Sequence, residues 1–390
     1  MKKVYMDYGA ATPVDPRVLE FMMPYFREKY GNPSSVYSLG FEAKAAIEKA
    51  RERVANLVNS RKENLIFTSC GTESNNLAIK GIAYQLKDKG NHIITSSIEH
   101  ESVLRTMDSL RREGFEVTHI PVDRNGVVSV DKLEKSIRKE TILITVMYAN
   151  NEVGTIQPVK EIGEIAKERE VLFHSDAIAA AGKIPIDIEK DNLDMISIAS
   201  QDIYGPKGAA ALFFLKKRFK PLFHGGRQEG GKRPGTENVP AIVGFGKAAE
   251  IALEIMDSEV SRLTLLRDRL IEGITGSVKE SYLNGHPKKR LPTNANIRFN
   301  YIEGESIVLN LDSQGIQVAT GSACTSDTLQ PSHVLTAMGI KPEEAHGSLQ
   351  FNLGRGNQEE DVEYVLEVLP TVVENLRKMS PMTPRGFFEE

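Results

Sequence analysis

The chain has 390 residues, 40% of them hydrophobic, and its 49 Lys and Arg against 53 Asp and Glu leave a net charge of -4. That much apolar material supplies a large buried core and excludes disorder as the main state, while a near-neutral balance without basic blocks excludes nucleic acid or an anionic membrane as the main partner. With only two cysteines, Cys70 and Cys324, a disulfide framework or an all-cysteine metal site built by this chain alone is excluded too.

The opening MKKVYMDYG passes from two lysines into a short strand-like segment without a signal-peptide core, and no run reaches the roughly 18 apolar residues of a membrane span. The expectation is a cytoplasmic protein. In EAKAAIEKARERVANLV the apolar Ile47, Ala50, Val54, Leu57 and Val58 keep helical spacing, so one face of that helix is buried. Short apolar runs bounded by turn residues then recur: LIFTS from Leu65, HIITSS from His92, ILITVMYA from Ile142, VLFHSD from Val171, MISIAS from Met195 and AALFFL from Ala210. These read as buried strands. Helical patterns separate them, among them PVKEIGEIAKERE with Pro158 suited to a first helical turn. The alternation predicts an α/β domain with a mainly parallel sheet. A helix-prone stretch from about Asn238 to Ile274 carries two pattern breaks, and beyond it NANIRFN, GIQVATGSAC and LQFNLG read as strands interleaved with helices. The division expected is a large domain over 15–255 and a small α+β domain from 1–14 with 256–390. The tail SPMTPRGFFEE reads as a loosely held end whose two Phe could dock.

Several segments carry chemistry. In LIFTSCGTESNNLAIKG a strand runs through Gly71 and Thr72 into a helix, whose free N–H groups form an anion cradle; a plain turn with Thr72 as N-cap reads equally well. Asp176 ends a strand, where ligands of open α/β sheets gather and a carboxylate can pair with a protonated ring nitrogen, or else cap a helix. His100, after another strand, can stack on a planar ring, move protons or serve structure alone. Cys324 lies among small and polar residues in QVATGSACTSDTLQPSHVL, a candidate nucleophile, persulfide carrier or metal ligand on an exposed loop. Cys70, at the end of an apolar strand, reads as inert packing.

Taken together, MDYGAATPVDPRV, YGNPSSVYSLG, FTSCGTESNNLAIKG, IEHESV, ANNEVGTIQP, HSDA, IYGPKG, GGRQEGGKRPGTEN and GSACTSDTLQPSHVL resemble the pyridoxal-phosphate-dependent cysteine desulfurases of iron–sulfur cluster assembly, over nearly the whole chain. The resemblance implies the type I PLP-dependent transferase fold and a homodimer. It also implies that Gly71 and Thr72 hold the cofactor phosphate with Thr236 reaching it from the other subunit, that His100 stacks on the ring, Asn151 contacts the ring hydroxyl, and Asp176 keeps the ring nitrogen protonated. Cys324 is implied to take sulfur from L-cysteine as a persulfide and pass it to an iron–sulfur scaffold protein; the alternative reading is a non-enzymatic assembly partner whose Cys324 ligates a 2Fe-2S cluster held by that scaffold.

The departures are as specific. Where the family has Ser-Gly-His-Lys, this chain has Ala199, Ser200, Gln201 and Asp202, so the Schiff-base lysine is replaced by a carboxylate that cannot form an imine. Gln201 and Asp202 then line the cofactor site, and pyridoxal 5′-phosphate is expected to bind without a covalent bond. Ala179 replaces a glutamine at the ring hydroxyl, Ala199 a serine near the phosphate, Tyr37 a histidine, and Gln350 the arginine that grips the substrate carboxylate. The last loss is worth roughly 1.5–3 kcal/mol, about ten- to a hundredfold in binding. Lys207, which the family carries alongside its catalytic lysine, is expected to face elsewhere.

Overall fold

The computed structural model describes residues 2–215, 219–321 and 331–389. Its larger sheet has seven strands in the order Leu65–Thr68, Ala210–Phe214, Met195–Ala199, Leu172–Asp176, Thr141–Thr145, His92–Ser96 and Glu116–Ile120. Ala210–Phe214 runs antiparallel to both neighbours, and the remaining pairs are parallel. Six of these strands match the apolar runs of the sequence. The seventh, Glu116–Ile120, is an edge strand with an exposed start, and its EVTHI lacks the continuous apolar run that marks an interior strand.

Alternation along the strands feeds two cores. Ile93, Leu143, Met195 and Leu212 pack with Leu77, Met107 and Leu110 of the helices Gly71–Leu86 and Glu101–Arg112. Their chain neighbours Ile94, Ile144, Ile196 and Phe213 point to the opposite face, against Val54, Ile162 and Phe245 of the helices Ser38–Asn56, Val159–Glu168 and Val239–Ser277. A side-chain period of two on a sheet covered on both faces produces that division. Pro158 stands at the N-cap of Val159–Glu168 rather than within its first turn.

The helix Val239–Ser277 runs unbroken for 39 residues, about 60 Å, so the two breaks in its sequence pattern do not interrupt it. Within it, a side-chain carbon at Gly246 would lie 2.6 Å from the Ala50 Cα, so the glycine lets two helices approach. From Leu263 onward the same helix joins a third core with Leu270, Ile274, Phe299, Phe351, Val365 and Leu369. That core lies under an antiparallel sheet in the order Ala319–Thr320, Ser348–Asn352, Asn294–Phe299 and Ser281–Asn284. At the far end, Phe387 packs edge-on to Tyr301, and the Arg377 guanidinium lies over its ring. Among the described residues no helix is long and apolar enough to cross a membrane.

Candidate active site

The site is built at the C-terminal ends of the parallel strands. The helix Gly71–Leu86 starts at Gly71 with Cys70 at its N-cap, so Thr72 is a first-turn residue and not the cap. A side-chain carbon at Gly71 would lie 2.1 Å from the Ile178 Cδ1, so a larger residue there would displace the Ile178 side chain. Cys70 is exposed, correcting its assignment to the core: the strand ends at Thr68, and Cys70 belongs to the turn. Thr72 is likewise exposed.

Asp176, the last residue of its strand, is buried and tied on both oxygens: Oδ1 accepts from the Ile178 N–H at 3.0 Å and Oδ2 from the Asn75 amide at 2.7 Å. Burial raises its pKa, with His100 and these donors acting the other way. The same Asn75 amide donates to the Ser102 hydroxyl at 2.9 Å, and that hydroxyl lies 2.8 Å from His100 Nδ1. The Ser102 N–H also points at Nδ1, at 3.1 Å, which makes Nδ1 an acceptor and leaves the proton of the neutral ring on Nε2. Thus His100, at the N-cap of Glu101–Arg112, and Asp176 are held by one chain of hydrogen bonds through Asn75 and Ser102. Neither linker stood out in the sequence, because a small polar residue in a helix carries no signal until its neighbours are known.

Asp202 lies in a short 3-10 turn, Gln201–Ile203, directly after the strand Met195–Ala199; it is 9% exposed. Its Oδ1 is 3.8 Å from the Lys183 ammonium, and its Oδ2 has no partner. Burial pushes its pKa up to about 6, Lys183 opposing this and Asp176 adding to it. Asp202 and Lys183 line a cavity with Tyr8, Thr12, Asn151 and Ala179. A second cavity, also lined by Asn151, holds His100, Glu99, Glu152 and Gln350. Gln201 is partly buried, and its carbonyl oxygen accepts from the Thr12 hydroxyl. Buried Gln350 accepts from the Asn352 amide at 3.0 Å. Thr236 and Asn151 are exposed on this chain, as is Lys207, whose Nζ is 3.5 Å from the Thr12 carbonyl oxygen. Tyr37 is 58% exposed. Cys324 lies outside the described residues.

Two buried carboxyls beside the predicted residues escaped sequence reasoning. Burial pushes Glu99 and Glu152 up to about 8 each, and one oxygen of each has no partner. Their positions, next to His100 and Asn151 in the chain, were the available signal.

The arrangement fits a cofactor that carries an anionic group. The helix that starts at Gly71 presents its first-turn N–H groups, Asp176 and His100 are fixed in place, and Asp202 offers a free buried oxygen. It does not fit covalent attachment at position 202, where a carboxylate stands.

The fold and site are matched by the aminotransferase class-V family, whose model covers residues 4–365. Cysteine desulfurase IscS of Methanosarcina thermophila is 54% identical over 387 residues, covering 99% of this chain and 96% of that protein. Cysteine desulfurase IscS 1 of Archaeoglobus fulgidus is 56% identical over 382 residues, covering 98% and 100% respectively. A solved structure described as a NifS-like protein superposes with a TM-score of 0.91 at 39% identity, covering 96% of this chain and 100% of that one. The chain belongs to the cysteine desulfurase IscS/NifS family.

Proposed function

We propose that this chain is a cysteine desulfurase homologue of iron–sulfur cluster assembly that binds pyridoxal 5′-phosphate non-covalently and handles sulfur through Cys324, and that on its own it is impaired in taking sulfur from free L-cysteine. One observation carries the reading: a buried carboxylate, Asp202, with one oxygen unpartnered, stands at the strand end beside Asp176. A carboxylate cannot condense with an aldehyde, and the amine base for the substrate's alpha proton is lost with the lysine.

When bound, the cofactor supplies an electron sink for the substrate carbon. The N–H groups at the start of Gly71–Leu86, with the Thr72 hydroxyl, take its phosphate. Thr236 of a second copy completes that cradle in a homodimer, a reading supported by exposed apolar side chains on Leu19, Phe26, Tyr30, Val36 and Phe41. Asp176 holds the proton on the ring nitrogen, His100 lies against the ring, and Asn151 meets the ring hydroxyl. Gln350 holds the substrate carboxylate less firmly than an arginine does. The Cys324 thiolate attacks the outer sulfur of a persulfide donor, the donor leaves as a thiolate, and the acquired sulfur passes to a scaffold protein by the same exchange.

The test is alanine and sulfide formation from L-cysteine, with and without added cofactor and scaffold. The isolated chain is expected to form neither above a cofactor blank, and sustained turnover contradicts the reading. Cys324→Ser should abolish sulfur transfer and leave cofactor binding intact.

A further inference from the structure

The charged side chains lining the cavity at Asp202 are not alike. Arg355 pairs with Asp15 at 3.2 Å, and Glu259 pairs with Arg262 at 2.9 Å. Lys183 approaches one oxygen of Asp202 at 3.8 Å and leaves the other, buried, without a partner. A buried carboxylate oxygen without a donor is an unfavourable arrangement in a finished protein interior and a favourable one where a ligand brings the donor. The neighbouring Ala179 and Gly182 are too small to reach it, and neither side chain carries a donor.

The proposed reading of the site puts Asp176 at the ring nitrogen and Asp202 on the side of the 4′ substituent, and the inference rests on it. An aldehyde at that substituent is an acceptor. Placed against a carboxylate it sets two acceptors together and leaves the free oxygen unsatisfied. An aminomethyl group is a cationic donor, and on the same buried oxygen it makes a charge-assisted hydrogen bond. We propose that this site selects the amine form of the cofactor, pyridoxamine 5′-phosphate, over the aldehyde form, with the ammonium group seated on the free oxygen of Asp202. Lys183, 3.8 Å from the other oxygen, favours the charged carboxylate. The substitution thus changes which form of the cofactor the pocket takes, in addition to removing the covalent anchor.

The experiment titrates the full chain, stripped of cofactor, with pyridoxamine 5′-phosphate and with pyridoxal 5′-phosphate by calorimetry. The amine form is expected to bind at least tenfold more tightly. Asp202→Asn keeps the shape and removes the charge; it should weaken the amine form about ten- to a hundredfold and leave the aldehyde form within about threefold. In Asp202→Lys the preference should reverse. Equal affinities in the native chain, or equal losses of both forms in Asp202→Asn, overturn the selection while leaving non-covalent cofactor binding in place. If neither form binds below millimolar concentration, the cofactor reading and this inference fall together.

Discussion

Two neighbouring strand ends are built differently. Around Asp176 both carboxylate oxygens are taken by donors of the chain itself, and Asn75 and Ser102 extend the network to His100. Around Asp202 one oxygen has a distant ammonium and the other has none, in a cavity walled by Ala179 and Gly182. A fully satisfied network fixes side chains before any ligand arrives, whereas an unsatisfied carboxylate costs stability until a ligand supplies the missing donor. In the proposed reading, the first side is a retained scaffold for the ring and the second a remodelled attachment point.

The largest expected effect is on the remodelled side. Asp202→Lys should turn a cofactor lost on dialysis into one retained at one per chain, since its amine condenses with the aldehyde and releases water; continued loss on dialysis breaks the comparison. Alanine formation by that variant should remain about ten- to a hundredfold below that of Asp202→Lys with Gln350→Arg, because a charged bidentate contact is restored only in the second.

Next comes pH. Glu99 and Glu152, flanking His100 and Asn151 in the chain, are each raised from 4.5 to about 8 by burial. The folded chain therefore binds protons more tightly than the unfolded one. Their contribution is fully present below about pH 4.5 and is lost as pH rises through about 8. The melting temperature should fall between pH 6.5 and 8.5, and Glu99→Gln should flatten the fall; an unchanged slope removes Glu99 from the account.

Smaller still, Asn75→Ala should destabilise the chain by about 1–3 kcal/mol, because it leaves a buried oxygen of Asp176 unpaired. Urea denaturation reads this. On the other side, Asp202→Asn should change stability by less than about 1 kcal/mol, or raise it, since it discharges an already unpaired oxygen. A loss as large as that of Asn75→Ala would show that the two sides are equally finished.

Much of this was legible beforehand. Six strands followed from apolar runs, and the ordered segments around Gly71, His100 and Asp176, with IYGPKG from Ile203, identified the family. The edge strand Glu116–Ile120 was hidden because a half-exposed strand lacks that pattern, and Cys70 was placed inside because its turn follows an apolar run. Lys183 was invisible as a site residue: seven positions after Asp176, it meets Asp202 only when the turns after two neighbouring strands converge. Asn75 and Ser102 likewise acquire meaning only from the helices that bring them together.

The central claim is that this chain cannot anchor its cofactor through an amine. The direct measurement is borohydride reduction of the native chain with pyridoxal 5′-phosphate, followed by mass mapping of its lysine peptides. The account predicts no pyridoxyl adduct on Lys183 or Lys207 and full release of cofactor on denaturation. One adduct per chain on Lys183 would contradict it, showing that the amine beside Asp202 had taken over the missing anchor.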